Sequence, residues 1–236
     1  MIQELKYSCI FSCSHQWFGL GGSLMSVAFT KIAFTPSVKA AQTLHGSRAS
    51  YARFERHSDD GHDFTSQEAE YIQARDGFYQ ATVSETGWPY VQFRGGPAGF
   101  LKVLDASTLG YADFRGNRQY LSVGNINADG RVALILMDYP NRRRLKVWGR
   151  AKVVQASEDP ELIARLEMPA YHARVERAVV ITVEAYDWNC PQHITPRFTE
   201  PEVAEWTAAL QQRLADLEAE NARLKAGYPL PPHAAV

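Results

Sequence analysis

The sequence predicts a mainly β protein, a closed or split barrel with flanking helices, followed by a separate heptad-patterned helix at the C-terminal end. Three observations carry this. Over residues 88–154, short alternating apolar and polar runs are broken by turn clusters at Gly95-Gly96-Pro97, Asp129-Gly130 and Tyr139-Pro140-Asn141, the pattern of antiparallel strands with one buried face. The run Arg131–Asp138 (RVALILMD) is apolar enough for a central strand. Beyond the strands, Val203, Leu210, Leu217 and Leu224 recur every seven residues.

Taken in order, the elements have local reasons. The first thirty residues carry broken apolar patches, Cys9-Ile10-Phe11 and Trp17-Phe18-Gly19-Leu20, interrupted by Ser12, Ser14, His15 and Gln16. They lack the clean apolar centre and basic start of a signal peptide, and read as a disordered or non-native extension with the functional start near Met25. Thr35-Pro36 opens a helix with an N-cap and a proline in its first turn, stopped at Gly46; residues 47–64 are polar and read as loop. Thr65-x-x-Glu68 is a capping box leading into Ala69 and Ile72.

Strands over 78–84 and 88–94 make a first hairpin, and 100–105 with 109–113 a second. Residues 117–126 read as a short helix ended by Asn127-Ala128-Asp129-Gly130, before the central strand and a long half-exposed strand over 145–153. Asp159-Pro160 starts a helix through Leu166, and 178–185 is a further strand that closes the barrel.

In the final helix, leucines at d place Thr207, Leu214 and Asn221 at a, with Arg213, Glu218, Glu220 and Lys225 flanking. Leu at d with one Asn at a favours a parallel two-stranded coiled coil; an amphipathic helix lying on its own barrel is the alternative. The expected layout is an extension over 1–33, a barrel domain over 34–199, the heptad helix over 200–226 and a tail over 227–236.

The totals narrow the function. Of 236 residues, 45% are hydrophobic and 22% charged, ordinary for a globular chain with a core. A net charge of −1 argues against nucleic acid or an acidic membrane as partner. Cys9, Cys13 and Cys190 form neither a disulfide framework nor a CxxC pair, so a reducing cytoplasm is the expected compartment. No apolar run approaches the roughly 18 residues of a membrane span. His45, His57 and His62 have neither the spacing nor the company of metal ligands. No Ser-His-Asp order, P-loop or Rossmann glycine pattern occurs, and no catalytic acid or nucleophile stands out.

What does stand out is arginine at strand ends and turns: Arg94, Arg115, Arg118 and the Arg142-Arg143-Arg144 run, with Asn117 among them. Arginine binds a phosphate by a charge-assisted fork, and Gly95-Gly96 and Gly116 let backbone approach a ligand that a Cβ would block. A solvated hairpin turn is the simpler explanation of the Arg142-Arg143-Arg144 run. His193 suits a proton donor or a structural histidine. Cys190 reads as a small buried side chain, and Trp148 and Trp188 as barrel aromatics that could also stack on a ring.

The hairpin over 78–94, the loop RGNRQYLSVGNI and the stretch GRVALILMDYPNRRRLKVWGRAKVV together resemble the pyridoxamine 5'-phosphate oxidase-like family of FMN-binding split barrels. The resemblance covers about residues 36–198, and Trp188-Asn189-Cys190-Pro191-Gln192-His193 is similar to a subgroup other than the true pyridoxamine phosphate oxidases. It implies a homodimer binding FMN in a groove shared between subunits. Arg115, Gly116, Asn117 and Arg118 fall where the FMN phosphate is held, with Ser122 nearby. Gln92, Arg94 and Gly95 fall on the strand and turn beside the flavin, and Arg144 falls where the family often has a glutamine on the cofactor.

The true oxidases carry Arg and His for the substrate phosphate in their C-terminal segment; here the chain runs into the heptad helix instead. FMN binding therefore carries over better than the vitamin B6 reaction. The resemblance implies an FMN-dependent oxidoreductase moving hydride or electrons from a donor to oxygen or a small organic acceptor. The alternatives are a non-catalytic flavin, deazaflavin or haem binding or sensor module, and an interaction subunit whose pocket is vestigial.

Overall fold

The computed structural model describes residues 27–55, 63–188 and 192–227. The readings of Cys9, Cys13, Cys190, His57 and His62, and of the terminal tail from 228, lie outside them. The described chain divides into two compact units, one over 27–138 and 143–188, the other over 139–142 and 192–227.

The first unit is a seven-stranded sheet in the order β2-β1-β5-β6-β7-β4-β3, antiparallel at every pairing. The strands are β1 (Gly77–Val83), β2 (Pro89–Gly95), β3 (Leu101–Asp105), β4 (Thr108–Phe114), β5 (Arg131–Asp138), β6 (Arg143–Gln155) and β7 (Val175–Trp188). Both expected hairpins form, with Gly87 at a left-handed φ of 82° in the first turn. β5 alternates buried and accessible residues and lies between β1 and β6. Its Val132, Leu134 and Leu136 meet Phe78, Leu145, Val147, Ile181 and Tyr111 in the main core. Each such side chain stabilises the fold by about 1.5–3 kcal/mol through burial.

The sheet curls until its ends approach, and this makes it a split barrel. β2 and β3 end the strand order without pairing to each other. Side chains close the gap: Phe78 of β1 packs on Phe100 and Tyr111 at 5.5 and 5.4 Å, and Arg94 of β2 reaches Asp113 of β4 at 2.5 Å. Behind the gap, Tyr111 is fully buried and donates to Gln80 at 2.7 Å. Burial pushes its phenol pKa up, so it stays protonated as a donor.

The helices among the described residues are α1 (Val27–Ala33), α2 (Pro36–Leu44), α3 (Arg48–Phe54), α4 (Ser66–Gln73), α5 (Leu121–Ala128), α6 (Pro160–Leu166) and α7 (Glu200–Gly227). The Thr35 cap on α2, the complete Thr65–Glu68 capping box on α4 and the Asp159 cap with Pro160 on α6 are all present.

Several expectations need correction. Residues 48–54, read as loop, form α3; an ion pair between Arg48 and Glu55 and a second one from Lys39 to Glu55 at 3.1 Å hold its end. Residues 27–33, placed in a poorly ordered extension, form α1, whose buried Ala28 and Phe29 pack with Trp148 and Ala185 on the outer side of β6 and β7. That makes Trp148 a packing aromatic. Trp188 is another: its ring packs on Tyr71 at 4.6 Å and its indole N–H donates to Glu68 at 2.8 Å. The helix expected from residue 117 starts at 121, because Arg118 and Tyr120 take left-handed φ angles of 63° and 56°. β7 runs past 178–185 at both ends.

The second unit contains α7, which spans 28 residues without a buried one. Within that unit the Arg197 guanidinium lies 4.8 Å from the Tyr139 ring.

Candidate functional site

A groove opens at the split of the barrel. Tyr90, Gln92 and Arg94 project from β2; Asp113 and Phe114 at the end of β4, Gly116, Asn117, Arg118 and Tyr120 of the following loop, Ser122 and Val123 of α5, and Glu176 of β7 complete the lining. Gln92, Arg94, Asp113, Phe114 and Gly116 also line an adjoining cleft with Phe93, Gly95, Tyr111, Arg115 and Tyr171, so the two cavities share the edge strand β2 and the end of β4. The sheet order explains the assembly: only a curled sheet brings edge strand β2 beside β4 and the loop that leaves it.

The groove is electropositive. Arg94 pairs with Asp113 at 2.5 Å, and Arg177, opposite Asp113 in the β4–β7 register, approaches the other carboxylate oxygen at 3.5 Å. Arg177 also pairs with Glu176 at 2.6 Å, and Arg115 approaches Glu176 at 3.8 Å. Arg118 donates to the Tyr120 hydroxyl at 3.1 Å. Among the lining residues Arg94, Arg115 and Arg118 outnumber Asp113 and Glu176 by one charge, and Arg177, which pairs with both carboxylates, adds a second positive charge beside them. The Nε of Arg94 is buried without a hydrogen-bond partner among the described residues.

Backbone donors reinforce this. The first-turn N–H groups of any helix lack intrahelical acceptors and carry the positive end of its dipole. At α5 the N-cap is Tyr120, which offers no side-chain cap, and first-turn residues Ser122 and Val123 line the groove. The left-handed backbone at Arg118 and Tyr120 costs on the order of 1 kcal/mol per residue, and it turns the loop so that Arg118 and this helix start face the same space. A Cβ built at Gly116 meets nothing within 4 Å, so its backbone borders open groove. Ser122 donates to Gln92 at 2.8 Å, which ties α5 to β2.

Eight of the residues singled out in the sequence, Gln92, Arg94, Gly95, Arg115, Gly116, Asn117, Arg118 and Ser122, line the groove or the adjoining cleft. Arg144 is not among the groove's lining residues. It lies on β6 opposite Met137, near Asp187, whose carboxyl is held above its ordinary range by burial against the opposing pull of Lys146 and, more weakly, Arg144. Arg143 sits over the Trp188 and Tyr71 rings at 4.6 and 5.2 Å. His193 takes a left-handed φ of 64°. Asp113, Glu176 and Arg177 were missed by sequence reasoning. Their meeting is set by the β4–β7 register, and no local pattern announces it.

Among the described residues no group of three or more His, Cys, Asp or Glu side chains could hold a metal ion, and no helix is long and apolar enough to cross a membrane.

The family model for pyridoxamine 5'-phosphate oxidase matches residues 64–189, more than half of the chain. The chain belongs to this family. The matched span runs from just before the α4 capping box to the end of β7, so the pyridoxamine 5'-phosphate oxidase region contains the whole sheet and the groove. No curated protein matches the chain. Among solved structures it is similar to a putative pyridoxamine 5'-phosphate oxidase from Lactobacillus delbrueckii, at 23% identity and a TM-score of 0.42, covering 54% of this chain and 95% of that one. It is similar to an FMN-binding protein from Syntrophomonas wolfei, at 13% identity and a TM-score of 0.41, covering 63% and 97%. It is also similar to HutZ, the heme storage protein from Vibrio cholerae, at 14% identity and a TM-score of 0.32, covering 50% and 87%. These relatives differ in what their names say they bind, and none assigns a ligand to this member of the family.

Proposed function

We propose that the groove binds FMN and that the protein is an FMN-dependent oxidoreductase serving a small-molecule donor and acceptor. The observation that carries this is a groove lined by Arg94 and Arg118 together with the uncapped start of α5, with Arg115 in the adjoining cleft. A phosphate monoester carries close to two negative charges at neutral pH, and helix starts with arginine beside them are suited to it. Arg118, Arg115 and the first-turn N–H groups of α5 would hold the phosphate. Gln92, Arg94 and Gly95 would border the ring along β2. Bound FMN would supply hydride or electron transfer through its ring N5; the chain's residues bind and orient it.

A second copy of the chain completes the groove in this reading. On the outer side of β2, β1 and β5, Val91, Phe93, Tyr79 and Ile135 are exposed apolar side chains. Tyr79 stands opposite both Phe93 and Ile135 in register. A contiguous apolar face of this kind marks an interface, and the resemblance to a family with a shared groove makes another copy its partner. Arg144, absent from the groove's lining, would then be supplied across that interface.

The test is the visible spectrum of the purified protein with the released chromophore identified by mass. Released FMN supports the proposal, and NADH or NADPH turnover then separates an enzyme from a carrier. A deazaflavin, a haem, or a colourless protein that refuses added FMN overturns it. Arg118→Glu is expected to weaken FMN binding at least about 100-fold, since it removes one charge-assisted contact and adds a repulsive one; flavin fluorescence titration reads this, and unchanged affinity sinks the phosphate assignment.

A further inference from the structure

We infer that α7 pairs with α7 of a second copy of this chain as a parallel, in-register, two-stranded coiled coil. This goes beyond the FMN reading and stands without it. The helix extends for about 42 Å at 1.5 Å per residue, yet none of its residues is buried. Leu210, Leu214, Leu217 and Leu224 expose between 44% and 71% of their surface, on one stripe. A helix with an uncovered leucine seam of heptad spacing is stable in water mainly through a partner.

The charges say which partner. With the leucines at d, the g positions hold Arg213 and Glu220, and the e positions hold Glu218 and Lys225. In a parallel pair each g residue faces the e residue five positions on in the other helix. In register, Arg213 of one copy faces Glu218 of the other, and Glu220 faces Lys225; every charged pair is of opposite sign. A slip of one heptad sets Arg213 against Lys225 on one side and Glu220 against Glu218 on the other, so every charged pair becomes like-signed. The chain is complementary to itself in one register.

Asn221 makes the same selection from the core. In register it meets its own copy, where the two amides hydrogen-bond across the seam. A one-heptad slip sets it against Leu214. An antiparallel pair places a against d, and the d positions are Val203, Leu210, Leu217 and Leu224, so the amide would face an apolar side chain without a partner. Two independent features, the flanking charges and the a-position amide, thus choose the same arrangement.

Disulfide trapping in the full-length chain tests it, with Cys9, Cys13 and Cys190 changed to serine and near-UV dichroism confirming the fold of each variant. Leu217→Cys places two thiols across the seam within bonding reach, and should oxidise to a covalent dimer at least about tenfold faster than Asp216→Cys, which points outward from position c. Adding Arg213→Glu and Glu220→Lys should slow the Leu217→Cys reaction by about tenfold, and adding Glu218→Lys and Lys225→Glu to that chain should restore it. Equal rates at 216 and 217 overturn the pairing, as occupation of the seam by another protein would predict. Faster linking of a Leu214→Cys chain to a Leu217→Cys chain overturns the parallel arrangement. A rate that ignores the charge reversal overturns the register. FMN content is read separately and does not decide any of these outcomes.

Discussion

A side chain at Gly149 would have nowhere to go. A Cβ there would lie 2.4 Å from the Thr182 carbonyl oxygen and 2.9 Å from Ile181 Cγ2. The β6–β7 register shifts between Trp148 and Gly149, so the close approach belongs to a bulge that bends the long strands. Backbone cannot yield as a flexible side chain can. Gly149→Ala is therefore expected to cost about 1–3 kcal/mol, measured as a lower urea midpoint with an unchanged slope. Gly110 is the contrast. Its added Cβ would meet Leu104 Cδ1 at 2.8 Å and Leu166 Cδ2 at 3.0 Å, both ends of side chains that can rotate. Gly110→Ala should cost less.

Among the elements, α4 shows how a local motif acquires a tertiary role. Thr65 and Glu68 complete the capping box, and Glu68 also accepts from the Trp188 indole on β7 at 2.8 Å. Burial pushes the Glu68 carboxyl up, but the hydrogen bonds from Thr65 and Trp188 outweigh it and hold the pKa below its ordinary value. A carboxyl depressed on folding stabilises above its unfolded pKa, and that contribution is lost as pH falls through the folded pKa. Glu68→Gln should destabilise the protein by about 1 kcal/mol at neutral pH. The difference from the parent should shrink in acid, once both side chains are neutral. A gap independent of pH, in urea melts, would contradict this account.

At the scale of the whole molecule, the split is the decisive feature. Backbone hydrogen bonds close the sheet everywhere except between β2 and β3, and side chains from β2, β4, the loop before α5 and β7 fill that gap with charge. A closed barrel would have buried these groups in a low-dielectric core, where unpaired arginine is costly. At the split they remain paired yet reachable. The exposed face carrying Val91 turns away from Tyr90, Gln92 and Arg94, which line the groove from the same edge strand. Val91→Asp is expected to weaken FMN binding by about tenfold or more, because it places a charge in the interface proposed to complete the groove. Disulfide trapping at position 217 should persist in that variant, and flavin titration of the trapped dimer measures the loss.

Much of this was legible in consecutive residues. Thr35-Pro36, the Thr65–Glu68 box, Asp159-Pro160, the alternation around RVALILMD and the leucine heptads each act over a few positions, so the order of elements could be read before any fold was known. Eight residues that line the groove or its adjoining cleft were singled out as well, through arginine and glycine at strand ends and through the family resemblance. Left-handed Arg118 and Tyr120, α3, α1 and the placement of Arg144 were not, since each depends on what packs or pairs beyond its own segment. By itself the sequence determined the order of the strands and of most helices, their alternating faces and the heptad spacing. Only the tertiary structure decided that Asp113 would lie between Arg94 and Arg177, because that meeting requires β4 to pair with β7 and the sheet to curl until β2 comes alongside. Local periodicity encodes which face is apolar; the distances between charges on separate strands are set by the closure of the chain.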